Sequence, residues 1–208
     1  MEFVQTYKEV LKTKTKTPRG FFRDIALDIL SLRNSIIGID AYLNKPRVQV
    51  LFIHHIFKDE ERPLEILIEK LKENHEFISY SEAVEKILQR KIDKPYIVFA
   101  SDDGFKNNIR AAEIFNKHGV KACFFVPLNI VGETNPQKLE YLSKDVFHFP
   151  IVGFLNWDDI AYLQKLGHEI GAHTLKHQNI AKLNKMEMIE DCTKSIEILT
   201  KYCGEAKH

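Results

Sequence analysis

Residues 94–108 read KPYIVFASDDGFKNN, an apolar run that closes on two adjacent aspartates and a glycine, Asp102, Asp103 and Gly104. The run has the length and the β-branched and aromatic content of a fully buried strand bounded by a turn. Residues 168–177, HEIGAHTLKH, repeat the arrangement: a short strand, then His173 and His177 four residues apart. Both polar clusters therefore fall in loops at strand carboxyl ends, where an α/β fold keeps its ligands.

A hydrolytic site for a divalent ion such as zinc needs about three imidazole or carboxylate ligands, with a position left for water and substrate. Asp103, His173 and His177 can supply the three. A single helical turn over 173–177 would put both rings on one face. Asp102 then stands beside the ion without binding it, placed to take a proton from water whose pKa the metal lowers. Two histidines and a carboxylate also describe the facial triad of non-haem iron oxygenases. Those enzymes place H-x-D ahead of a distant histidine in all-β sequences, whereas here an aspartate precedes H-x-x-x-H inside an α/β pattern, which favours hydrolysis. Read singly, Asp102 and Asp103 are an ordinary helix cap or turn, and His173 and His177 an ordinary helix face. The joint occurrence carries the metal reading.

Outward from these segments, strands and helices alternate from Arg47 on. Strands are expected at 48–56, 76–79, 96–101, 121–126 and 168–172. Helices are expected at 63–74, at 81–90 with a capped start at Ser81, at 106–118 before Gly119, at 158–166 before Gly167, and at 185–202 before Gly204. Residues 128–154 read as a long irregular loop. Alternation of this kind predicts parallel strands with covering helices. Residues 1–45 form a polar, Lys- and Thr-bearing extension: a solvated loop or hairpin over 11–20, then an amphipathic helix over 21–38. Lys12, Lys14 and Lys16 read as an exposed face rather than a site for an anionic polymer.

The chain has 208 residues, with 30 basic and 29 acidic side chains and a net charge of +1, so neither a polyanion-binding surface nor a nucleic-acid partner is expected. Three cysteines without a C-x-x-C pair fit reduced thiols, with Cys123 in the core. No apolar run spans a bilayer and the first residues lack a secretory pattern, so a cytoplasmic setting is expected.

The segments SDDG and HTLKH resemble the first two motifs of the polysaccharide deacetylases, the NodB-like group of carbohydrate esterase family 4, usually written TFDDG and H-[ST]-x-x-H. The strand KACFFV, the stretch NWDDIAYLQKLGHEIGAHTLKH and the earlier VQVLFIHHIF, similar to a first barrel strand that often ends in Tyr-His, extend the likeness over roughly residues 47–206. The resemblance implies the early part of a distorted (β/α) barrel in residues 46–208, with its site at the strand carboxyl ends. It implies hydrolysis of an N- or O-acetyl group on a glycan, with Asp102 as catalytic base and Asp103, His173 and His177 as ligands. The metal implied is zinc, with cobalt, manganese, nickel or iron as alternatives, and its partner in stabilising the oxyanion is a backbone amide. His55, after the first strand, becomes a substrate-contacting residue, while His54 points to the opposite face.

Trp157 is expected to anchor a helix start, and His118 to suit a helix C-terminus. His75, His148 and His168 carry no motif. Family members continue into three later motifs, the last carrying the general acid, and none is found before His208. The expectation is a chain of weak or no activity, whose open sheet edges are covered by a second copy or by the rest of the protein, or which is only partly ordered. A carbohydrate-binding or scaffolding domain of the same fold is the non-catalytic alternative.

Overall fold

The computed structural model describes residues 3–13, 18–206 and 208. Its centre is β3 (Pro95–Ser101), buried from Tyr96 to Ser101, because a parallel strand covered on both faces has no polar side to show. β1 (Arg47–Ile53) runs parallel to it in register from Arg47↔Pro95 to Ile53↔Ser101. β2 (Glu76–Phe77) pairs with the beginning of β3, and β4 (Ala122–Val126) with its end. β5 (Glu169–Ala172) pairs with β4, so the order is β1-β3-β4-β5 and every pairing is parallel.

Helices return the chain between strands: α4 (Glu61–Leu71), α5 (Tyr80–Leu88), α6 (Asn108–Lys117) and α8 (Trp157–Lys165); α9 (Lys185–Cys203) follows β5. Phe99, Phe115, Phe124, Ile160, Leu163 and Leu199 are at most 1% exposed and form the main core between sheet and helices. Each such side chain contributes about 1.5–3 kcal/mol by leaving water. His168 belongs to this core. Its Nδ1 accepts from the Ala122 N–H at 3.2 Å and its Nε2 donates to the Ala112 carbonyl at 3.0 Å, tying α6 to the starts of β4 and β5. Trp157 stacks on Tyr202 at 4.0 Å, fastening α8 to α9. Cys123, Cys192 and Cys203 are unbridged, and burial pushes the Cys123 thiol above its ordinary pKa.

Three local expectations differ from the structure. Residues 128–154 are irregular only in part: α7 (Pro136–Tyr141) is followed by a π-helical turn, Leu142–Phe147, while 131–135 and 148–154 carry no helix or strand. Asn135 caps α7 by accepting from the Lys138 N–H, with Pro136 at the first helical position. Leu139 and Leu142 are buried against Phe105 and Phe154 in a second apolar cluster. The start of α5 is Ser79, whose hydroxyl accepts from Glu82 N–H while the Glu82 carboxylate accepts from Ser79 N–H. Ser81 lies one residue inside that helix and gives its N–H to Glu169.

The third difference is at the N-terminus. α1 (Tyr7–Thr13) and the first turn of α2 (Pro18–Ile37) occupy part of the expected loop. Lys14 and Lys16 lie outside the described residues. Val10 is 0% exposed in the second cluster with Phe57 and Phe105, and Asp59 accepts from the Tyr7 and Lys8 N–H groups at the start of α1. α2 has no buried residue. A short α3 (Asp40–Leu43) precedes β1. No helix among the described residues is long and apolar enough to cross a membrane.

Candidate metal centre

β3 ends at Ser101, and the chain turns sharply through Asp103 (φ 70°) and Gly104 (φ 62°). The turn is squeezed against the end of β4. A Cβ at Gly104 would sit 2.7 Å from Val126 Cγ1, so only glycine fits there without displacement. The Asp102 N–H donates to the Ile53 carbonyl at 3.2 Å, fixing the turn to the end of β1. Across β4, the His173 N–H donates to the Val126 carbonyl at 3.0 Å and carries the pairing of β5 one residue further. Both aspartates and His173 are thus delivered by the sheet itself.

Residues 173–177 do not form the expected helical turn. Thr174 (φ 62°) and His177 (φ 55°) are left-handed, and the Leu128 and Asn129 N–H groups donate to the Thr174 and Leu175 carbonyls at 3.2 and 2.8 Å. The imidazoles still meet, with ring centroids 5.1 Å apart. Phe147, from the π-helical turn, packs on the His177 ring at 4.6 Å.

Asp103 is 6% exposed. Its Oδ1 lies 3.4 Å from His173 Nε2 and 3.0 Å from His177 Nε2, yet no hydrogen bond of acceptable geometry reaches that buried oxygen. Ligand atoms of all three residues lie within 4.8 Å of one another. Tetrahedral ligands about 2.0–2.2 Å from zinc are separated by about 3.4 Å, so the donor types and their spacing fit a cation among them. Burial opposes ionisation of Asp103, but the contacts from His173 and His177 outweigh it and hold the carboxyl well below the usual carboxylate range. The Asp103 carboxylate in turn raises the His173 pKa against the effect of burial.

Asp102 is half-buried beside this cluster. Burial raises its pKa, while His173 and His54 pull the other way and Asp103 adds to the rise. His55 is not in the cluster. It is sandwiched between Phe105 and Phe149, both at 4.1 Å, with Nδ1 3.4 Å from Asn107 Oδ1. His54 is exposed just beyond the end of β1.

An open groove of about 1120 Å³ runs past the two histidines, lined by Tyr141, His148, Lys176 and Asn179 among others. Two contributors escape a motif-level reading. Phe147 sits in a segment without strand or helix signals of its own. Asp191, whose carboxylate accepts from the Leu175 N–H between the two histidines, belongs to the buried stripe Asp191, Ser195 and Leu199 of α9, where an acid at i, i+4, i+8 spacing among inward residues was the available signal.

A family model described as polysaccharide deacetylase matches residues 89–208. No curated protein sequence matches the chain. Among solved structures, IcaB from Ammonifex degensii is 16% identical with a TM-score of 0.62, over 78% of this chain and 72% of that one. The deacetylase PplD from Streptococcus pyogenes, in complex with acetate, is 16% identical with a TM-score of 0.57, over 78% and 70%. A polysaccharide deacetylase from Bacillus cereus is 20% identical with a TM-score of 0.58, over 78% and 49%. The shared feature is the fold, a parallel sheet with covering helices.

Proposed function

Because the chain belongs to the polysaccharide deacetylase family, we propose that it removes acetyl groups from an amino-sugar-containing glycan, N-acetyl before O-acetyl, using a divalent cation held by Asp103, His173 and His177. Zinc is the first choice, ahead of cobalt, manganese, nickel or iron. The observation that carries the reading is the convergence of two Nε2 atoms on the buried Asp103 Oδ1, which accepts no hydrogen bond of good geometry, with Asp102 adjacent.

A cation bound there would polarise the acetyl carbonyl and acidify a water molecule. Asp102 is the base. Its raised pKa makes it a better proton acceptor than an exposed carboxylate, and its half-buried position keeps it close to the cluster without joining it. His173 and His177 would hold the cation through imidazole nitrogen, Phe147 covers one face of His177, and Gly104 lets the aspartate pair press against β4. The groove of about 1120 Å³ beside His173 and His177 exceeds the 300–1,000 Å³ range typical of sites for drug-sized ligands, which leaves room for an oligosaccharide next to the two imidazoles. Acetate in the PplD structure is the product class such a reaction would release. We assign residues 46–208 to the catalytic unit and 1–45 to an extension seated on it through Val10.

The test is acetate release from acetylated amino-sugar oligomers and acetylated xylan by the zinc-loaded chain. Asp102→Asn is expected to lower kcat/KM about 10²–10⁴-fold while zinc binding persists. Weak turnover is expected of these residues, so release is followed with the chain at stoichiometric concentration; glycan binding with acetate release no faster than in Asp102→Asn would favour the carbohydrate-binding alternative.

A further inference from the structure

The turn bearing His173 and His177 adopts a conformation its sequence does not favour. Thr174 is β-branched and left-handed, and His177 is left-handed as well; such backbone persists only where its surroundings over-determine it. Two of the constraints come from the N–H groups of Leu128 and Asn129. The third comes from α9. Asp191 is 6% exposed, and its two carboxylate oxygens accept from the Leu175 N–H at 3.2 and 3.3 Å. Its Oδ2 also accepts from Gln178 Nε2 at 2.9 Å. Leu175 is the midpoint of the turn and Gln178 follows its second histidine, so one buried carboxylate grips the turn at its centre and its exit.

We propose that Asp191 is a positioning residue for the metal centre: by holding the Leu175 amide and the Gln178 side chain, it fixes the left-handed turn that aims both imidazoles at Asp103. The proposal rests on the reading of Asp103, His173 and His177 as ligands. The position needs a carboxylate. The Leu175 amide and the Gln178 amide both donate, and an ionised carboxylate has the acceptor capacity and the charge to hold two donors in a buried setting. Alanine would leave the Leu175 N–H buried without a partner, and asparagine would keep one acceptor oxygen but lose the charge.

Zinc affinity of the full chain, measured by competition with a chromophoric chelator, tests this in Asp191→Ala, Asp191→Asn and Leu199→Ala. Leu199 lies on the same helix and is 0% exposed, but it belongs to the main apolar core. Partners that orient metal ligands are typically worth about 10–100-fold in affinity. A loss in that range is expected for Asp191→Ala and a smaller one for Asp191→Asn. Leu199→Ala should lower the Tm of the metal-free chain and leave affinity unchanged. If Asp191→Ala does not fold, Asp191→Asn carries the comparison. Asp191 variants that bind zinc like the wild type, or a Leu199→Ala variant that loses as much, would overturn the proposal. If the wild type itself binds no zinc, the ligand reading fails first, and imidazole NMR of the metal-free chain still decides the matter. The His173 and His177 resonances should move in Asp191→Asn and not in Leu199→Ala, and resonances unmoved by Asp191→Asn would sink the positioning role.

Discussion

Gly104→Ala should destabilise the chain by about 2–4 kcal/mol, and two effects set that size. At φ 62° an L-residue carries a left-handed penalty of about 1–2 kcal/mol. The new methyl meets Val126 Cγ1 at 2.7 Å, an overlap that the rigid end of β4 cannot relieve freely and that costs about 1–3 kcal/mol as overpacking. Restricting the unfolded chain offsets about 0.4–1 kcal/mol of the sum. For a chain of this length the net effect lowers Tm by roughly 5–15 °C. Urea denaturation of the metal-free chain measures the cost directly, and a double-mutant cycle separates the two terms. In a Val126→Ala background the overlap disappears and the left-handed penalty remains, so Gly104→Ala should cost about 1–3 kcal/mol less there. An equal cost in both backgrounds, or one below about 0.5 kcal/mol in the wild type, would refute the placement of the Asp-Asp-Gly turn against β4.

Two other predictions concern stability. Burial holds the His168 pKa below its ordinary value of 6.5, so the unfolded chain binds a proton that the folded chain refuses. His168 therefore contributes stability fully above about pH 6.5, and the contribution is lost as pH falls toward the depressed folded value. Denaturation profiles of wild type and His168→Gln between pH 8 and 5 should converge on acidification, and parallel profiles would contradict the buried neutral ring. Val10→Ala removes methyl groups from a site 0% exposed beneath Phe57 and Phe105 and should cost about 1–3 kcal/mol. Unchanged stability would mean that α1 is not seated on the second apolar cluster.

The parts of the molecule written in contiguous residues were legible in the sequence. β3 with its Asp-Asp-Gly turn, β5 with its two histidines, and the alternation of strands and helices between them follow from local apolar runs closed by turn residues. What escaped depends on contacts distant in the chain. The HTLKH spacing suited a helical turn, but donors from Leu128 and Asn129 pull Thr174 and Leu175 into another conformation. His54 and His55 were ordered by strand alternation, which stops at Ile53 where β1 ends; beyond it, stacking on Phe105 and Phe149 decides where His55 goes. α7 had a local signal in Asn135-Pro136, obscured by the weak periodicity of the six residues after it. Asp191 carried no motif, because its partners lie 13 and 16 positions away.

Metal analysis after equilibrium dialysis against zinc, on the wild-type chain and on Asp103→Asn, bears most directly on the convergence of Asp103, His173 and His177. One bound ion per wild-type chain, and a loss of that ion in Asp103→Asn with the fold intact by circular dichroism, is the expected pair of results. A wild-type chain that retains no zinc, or an Asp103→Asn chain that retains as much as the wild type, would contradict it.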